Sequence, residues 1–245
     1  KDLPDKIEKN MAACMEQKQK ELYHAHAQRL ALMLQNQTEE EFADSRFQVL
    51  SELTRLRQLC CDPALVYENY EGGSAKLDLC IELIQSAVES GHKILLFSQF
   101  TSMIEILTAR LQEESISCFV LQGSTKKEQR AQMVEQFNRD DTSVFCISLK
   151  AGGTGLNLTG ADIVIHYDPW WNVAVENQAT DRAHRIGQKN VVTVYKLIAK
   201  GTIEEKIIKL QQMKKELAEE ILSGDEIKTA SFQREELLEL LEERF

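Results

Sequence analysis

Between about residues 76 and 200, short apolar runs alternate with longer segments whose apolar residues recur every three or four positions. KILLFSQF, CFVLQG, SVFCIS, DIVIHYD and VVTVYKLIA have strand length and are rich in Val, Ile, Leu and Phe. Strands buried on both faces have this pattern. Between them, SMIEILTARLQEE, TKKEQRAQMVEQFN and VAVENQATDRAHRIG carry helical periodicity, the last ending at Gly187. Strands alternating with such helices predict a parallel sheet with helices on both faces, an α/β fold.

The flanks have a different rhythm. Up to about Val66 the pattern is helical, with Leu22, Ala25, Leu30 and Met33 near one stripe. Thr38 and Glu41 form a capping-box signature opening EEFADSRFQVLSELTRLRQLCC, which Asp62-Pro63 stops. Thr125 with Glu128 and Thr202 with Glu205 repeat that signature at two further helices. YENYEGGSAK is a connector. After Gly201 comes a long amphipathic helix, IEEKIIKLQQMKKELAEEIL, then SGD and an acidic amphipathic REELLELLEERF. These last helices suit either a packed tail or a partner-binding segment, and packing against the parent domain is the expected use. The division that follows is a helical segment over 1–72, the α/β domain over 73–200 and tail helices over 201–245.

The formal net charge of −10 argues against a surface that is basic all over. A local cationic stripe is enough to neutralise phosphates, so particular Lys and Arg residues must carry any nucleic-acid claim. The cysteines, Cys14, Cys60, Cys61, Cys80, Cys118 and Cys146, include no C-x-x-C pair. They are expected to be reduced thiols, with no metal site. No apolar run reaches the roughly twenty residues of a membrane span, so no membrane partner is expected. No signal-peptide pattern opens the chain, and its start at Lys1 has the character of a fragment.

Ligands of open parallel sheets bind beyond the carboxyl ends of the strands. Here four such ends lead into polar or glycine-rich loops: Ser98-Gln99-Phe100, Gly123-Ser124-Thr125, Ser148 to Asn157, and Asp168-Pro169-Trp170-Trp171-Asn172. Phosphate is the natural ligand for such an edge. Gly123-Ser124-Thr125 precedes a helix whose first turns carry Lys126, Lys127 and Arg130, cations the helix dipole disfavours unless an anion lies there. A plain capped helix with solvated lysines fits those residues equally well. The run Gly152-Gly153-Thr154-Gly155 fits either amides presented to an anion or a tight turn needing positive φ. No Walker A loop, G-x-x-x-x-G-K-[ST], occurs in the chain.

ENQATDRAHRIGQ is the strongest constellation. At about 100° per residue, Gln178, Asp181, Arg182 and Arg185 share one helical face. Two guanidiniums beside a carboxylate and an amide suit the negative charge that develops on a transferring phosphoryl group. Such arginine fingers contribute roughly 10³–10⁵-fold in rate. His184 is expected to be a structural donor rather than a general base. Of Trp170 and Trp171, adjacent residues that point apart, one is expected to pack and the other to meet a base or sugar.

With these motifs in place, the chain resembles the second RecA-like lobe of superfamily-two helicases, and more narrowly that of the SWI/SNF-related ATP-driven translocases of double-stranded DNA. The likeness runs from about Ser51 to Leu222. It rests on TRLRQLCCDP, KILLFSQF, LKAGGTGLNLTGADIVIHYDPWWN, QATDRAHRIGQ and GTIEEKI in that order.

The resemblance implies that Gln178, Arg182 and Arg185 form the family's sixth motif, with both arginines reaching ATP held by the N-terminal RecA-like lobe. Asp181 would orient them, and Gly155 and Asn157 would lie near the nucleotide. Ser98, Gln99, Gly123, Ser124, Lys150, Gly152 and Trp171 would face the DNA. The opening helices would be a protrusion and linker, and the helix after Gly201 a brace. The family's usual Trp-Trp-Asn-Pro is Trp-Trp-Asn-Val here, with Val173 removing a favourable helix start.

The implied cofactor is ATP with Mg2+, bound mainly by the first lobe, and this segment alone is expected to be inactive. Its partners would be double-stranded DNA, that first lobe and a possible protein target. The setting would be a bacterial or archaeal cytoplasm, or a nucleus if the source is eukaryotic. The other open reading is a non-catalytic module for nucleic acid or phosphate, or a protein-directed remodeller with little DNA dependence.

Overall fold

The structure, a computed structural model, describes residues 3–149, 155–220 and 233–241. The chain divides into two compact units. One holds Lys76–Ile198 together with the N-terminal residues through Ala13; the other holds Cys14–Ala75 and the residues from Ala199 onward.

The first unit is built on a six-stranded sheet. Its strands are β1 (Lys6–Ala13), β2 (Ile94–Ser98), β3 (Cys118–Leu121), β4 (Val144–Ser148), β5 (Ile163–His166) and β6 (Val192–Ala199), in spatial order β1-β6-β5-β2-β4-β3. The pairings β3 with β4, β4 with β2, β2 with β5 and β5 with β6 are all parallel. Ile94 faces Val144 on one side and Ile163 on the other, which sets the register.

β2, β4 and β5 are buried along their whole length, which explains their unbroken apolar sequences. The helices are α3 (Ala75–Glu89), α4 (Thr101–Glu113), α5 (Lys127–Arg139) and α6 (Val173–Thr180). Phe137 of α5 and Ala179 of α6 pack with Leu95, Phe97, Phe145 and Ile147 on one face. The alternate residues Leu96 and Cys146 point the other way, where α4 packs. The parallel sheet with helices on both faces is the fold the alternating pattern predicts.

Three local expectations need correction. Residues 6–13 form a strand rather than a helix. KIEKNMAA is polar and mostly exposed because β1 is a sheet edge, where charged side chains guard unpaired backbone. α5 begins at Lys127, and Thr125 does not cap it with Glu128. Its hydroxyl instead accepts the Gln122 N–H, closing a turn that the Thr125 N–H to Gln122 carbonyl bond completes. Finally, α6 ends at Thr180 and not at Gly187, the intervening residues forming turns.

The second unit is helical. α1 (Gln17–Gln35) and α2 (Glu39–Cys61) form a hairpin, with the Thr38–Glu41 capping box present in full. Asp62 ends α2, and its carboxylate accepts the Ala64 N–H at 2.8 Å. α7 (Ile203–Glu220) packs against α2, and the Ile203 N–H donates to the Tyr23 hydroxyl at 2.8 Å. Thr202 caps α7 through the Glu204 N–H, while Glu205 takes the Gly201 N–H in place of a closed capping box. α8 (Arg234–Leu241) buries Leu237, Leu240 and Leu241 and packs on α1. Arg234 donates to the Leu34 carbonyl at 3.0 Å in the last turn of α1, where a cation suits the dipole.

Candidate functional site

Because the strands from β2 to β6 run parallel, the loops after β2, β3, β4 and β5 emerge on one edge of the sheet, as the positions of their polar residues predict. Lys150 and Gly152 lie outside the described residues. The other candidate residues fall into two groups.

The first group lines a pocket of about 510 Å³ whose walls are Leu3, Gly155, Leu156, Gln178, Asp181, Arg182, His184, Arg185 and Ile186. Gln178, Asp181, Arg182 and Arg185 are therefore brought together although the helix stops before three of them. The turn after Thr180 is held from outside itself. The Leu158 N–H donates to the Arg182 carbonyl at 3.0 Å, and Arg185 donates to the Leu156 carbonyl at 3.3 Å. Buried Gln188 donates to the carbonyls of Ala161 at 2.7 Å and Ala183 at 3.1 Å. His184 bonds the Pro4 carbonyl at 2.7 Å, the structural donor role expected of it.

The two arginines differ. Arg185 is exposed. Arg182 is buried at 7% exposure, with its guanidinium 5.4 Å from the centre of the Phe97 ring, within cation–π reach. Burial lowers its pKa to about 10, which leaves it cationic at neutral pH. Gly155 has φ +104, and a Cβ added there would meet nothing within 4 Å. Backbone conformation, not space, requires glycine at that corner. Asn157 is exposed beside the pocket, and its carbonyl accepts from Asn138 at 2.8 Å.

The second group lies nearer β2, β3 and β5. Gly123 and Ser124 are exposed in the turn before α5. Arg130 folds back on that turn, donating to the carbonyls of Thr125 at 2.8 Å and Gly123 at 3.1 Å. It braces the loop. Ser98 is fully buried, and its hydroxyl donates to Asp168 at 2.5 Å. The same carboxylate accepts the Gln99 N–H, so it ties the loop after β2 to the loop after β5.

Trp170 and Trp171 are both half-buried, and Trp170 packs against the core. The Asn172 side chain caps α6 through the Ala174 N–H at 3.0 Å, which offsets the missing proline at Val173.

Sequence reasoning assigned nothing to Asp168, Glu176, His166 or Gln188. Asp168 carried one signal, an acidic residue directly after an apolar strand. The others are buried polar groups, and Glu176, His166 and Gln188 each have a partner at least 14 positions away, Lys196, Thr180 and Ala161. No group of three or more His, Cys, Asp or Glu side chains among the described residues is placed to hold a metal ion.

Residues 75–187 match the helicase conserved C-terminal domain. An uncharacterized ATP-dependent helicase of Mycoplasma pneumoniae is 41% identical over 246 residues, which cover 99% of this chain and 23% of that protein. The chain thus spans under a quarter of that relative's length. The C-terminal domain of the Sulfolobus solfataricus SWI2/SNF2 ATPase superposes with a TM-score of 0.78 at 33% identity, over 98% of this chain and all of that one. The SWI2/SNF2 ATPase core of the same organism, solved in complex with double-stranded DNA, gives a TM-score of 0.79 at 34% identity, over 99% of this chain and 51% of that one.

Proposed function

The chain belongs to the SWI2/SNF2 ATPases of helicase superfamily two, as the C-terminal lobe of their motor domain, and from that premise we propose that it is the second half of an ATP-driven translocase of double-stranded DNA. In this reading Arg182 and Arg185 reach ATP bound with Mg2+ by a first lobe. They neutralise charge that builds on the phosphoryl oxygens, from positions fixed before the reaction. Gln178 and Asp181 orient them. Gly155 lets the loop after β4 turn close to the nucleotide, with Asn157 beside it. Gly123, Ser124, Gln99 and Trp171 face the polynucleotide, joined by Lys150 and Gly152.

The observation that carries the reading is the pocket in which both arginines stand with Gln178 and Asp181. Its open mouth, cationic wall and glycine corner fit a triphosphate. The chain has no Walker A loop, so on its own it is expected to hydrolyse no ATP.

Steady-state ATP hydrolysis by the full-length protein tests the proposal, run at one fixed salt concentration without nucleic acid and with duplex DNA, single-stranded DNA or duplex RNA. Stimulation by duplex DNA alone is the expected result. Hydrolysis indifferent to every polynucleotide would overturn the DNA track and leave a protein-directed remodeller.

A further inference from the structure

Glu176 of α6 is 1% exposed, and it is not among the residues assigned to the site. One of its oxygens pairs with the Lys196 ammonium of β6 at 2.5 Å, and Lys196 also approaches Glu8 of β1 at 3.6 Å. Its other oxygen accepts the backbone N–H of Trp170 at 3.3 Å. One turn along the helix, the Thr180 hydroxyl donates to the Glu176 carbonyl at 3.2 Å and meets His166 Nε2 at 2.9 Å. His166 stacks on Phe97 with ring centres 5.5 Å apart, and the Arg182 guanidinium lies against that same ring. One buried chain of contacts therefore runs from the tryptophan loop to the arginine, hydrogen-bonded as far as His166 and carried by the Phe97 ring beyond it.

Stability alone does not account for this arrangement. Removing two charges from water offsets most of their mutual attraction, and a hydrophobic pair of similar volume holds a helix to a sheet as well or better. What the carboxylate adds is dependence on geometry: it holds Trp170 only while the loop keeps this conformation.

We propose that Glu176 is a positioning residue that couples the tryptophan loop to the arginine segment. Polynucleotide at Trp171 fixes the loop; the loop fixes Glu176 and α6; Thr180, His166 and Phe97 then fix Arg182. Contiguous packed and hydrogen-bonded groups of this kind carry coupling between sites. The inference rests on the reading of Trp171 as a polynucleotide contact and of Arg182 as a nucleotide contact.

The test is the ratio of duplex-stimulated to basal ATP hydrolysis in the full-length protein, with melting temperature measured alongside. Glu176→Ala removes the acceptor, and the ratio is expected to fall about fivefold or more while basal turnover stays within about twofold. Glu176→Gln keeps an oxygen for the Trp170 N–H and should restore most of the ratio.

An unchanged ratio in Glu176→Ala, with the parent stimulated normally, would sink the coupling and leave the functional reading intact. Basal and stimulated rates falling together at a constant ratio would also sink it, making Glu176 a brace only. A parent indifferent to duplex DNA would overturn the functional reading and this inference with it. If Glu176→Ala does not fold, the nearly isosteric Thr180→Val cuts the next step of the path. A lowered ratio there supports the coupling, and an unchanged one refutes it.

Discussion

Two stretches of this sheet edge carry clustered cations beside a glycine, and the structure uses them in opposite ways. Around Gly123, the guanidinium of Arg130 folds onto the carbonyls of its own turn. Around Gly155, Arg182 and Arg185 line an open pocket, and the turn that bears them is held by other groups, chiefly the Leu158 N–H and Gln188. Positive charge near glycine therefore does not define an anion site. What differs is where the guanidiniums stand: Arg130 lies on the carbonyls of its own turn, whereas Arg185, bonded to the distant Leu156 carbonyl, lines the pocket beside Arg182.

The sharpest way to break that contrast is to remove an arginine from the pocket. Arg185→Ala in the full-length protein is expected to lower ATP turnover by roughly 10³-fold or more while ATP binding changes little, since the interaction operates in the transition state. Single-turnover hydrolysis and nucleotide titration measure the two separately. Turnover within a few-fold of the parent would return Arg185 to an exposed side chain with no catalytic part.

The tryptophans give the next largest effect. Loss of a base or sugar contact is worth about 1–3 kcal/mol, so Trp171→Ala should reduce duplex stimulation by about tenfold. Trp170→Ala opens a gap against the core, and its signature is a loss of roughly 2–4 kcal/mol in unfolding free energy. Denaturant titration and stimulated ATPase on both variants decide the assignment. A reversal of the two signatures would exchange their roles.

On the other side of the contrast, Arg130→Ala takes the guanidinium donor from the Gly123 and Thr125 carbonyls. A stability loss of roughly 1–2 kcal/mol is expected, with ATP affinity unmoved. A large fall in ATP affinity would instead place a phosphate at that turn.

These differences also mark how much of the molecule the sequence disclosed. β2, β4 and β5 were legible because burial on both faces forces apolar runs. β1 was not, because an edge strand with Lys6, Glu8 and Lys9 carries no periodic apolar signal. The arginines were legible from their spacing, yet their scaffold was not. DRAHRIG has ordinary helical residues, and its long-range bonds to Leu158, Leu156 and Pro4 accompany a turn that no local pattern announces. Ser98 looked like an exposed loop hydroxyl because its partner, Asp168, sits 70 residues away in the loop after a neighbouring strand. Position along a strand is a local property; commitment of a donor is a tertiary one.

The last predicted effect separates the floors beneath the two loops. The arginine segment rests over His166, 1% exposed, whose pKa is lowered from 6.5 to about 4, chiefly by burial, with the nearby Lys196 and Arg182 charges acting the same way and Glu176 and Glu8 opposing. Above pH 6.5 the imidazole is neutral in folded and unfolded chains alike, and it contributes no pH dependence. Between 6.5 and about 4 the unfolded chain binds the proton first, so stability falls with pH, by at most about 1.4 kcal/mol per unit. Below about pH 4 both states are protonated and this contribution levels off. His166→Asn should lack that slope, so urea midpoints of parent and variant should diverge on passing from pH 7.5 to pH 5. Amide exchange should localise the difference. Protection at residues 176–183 falls in the parent as pH drops through this window, after correction for the intrinsic exchange rate, while the turn at 122–125, held by Arg130 and Thr125, keeps its relative protection. Equal loosening of both loops would mean that their floors are not distinct, and the contrast between a braced turn and a carried one would fail at its base.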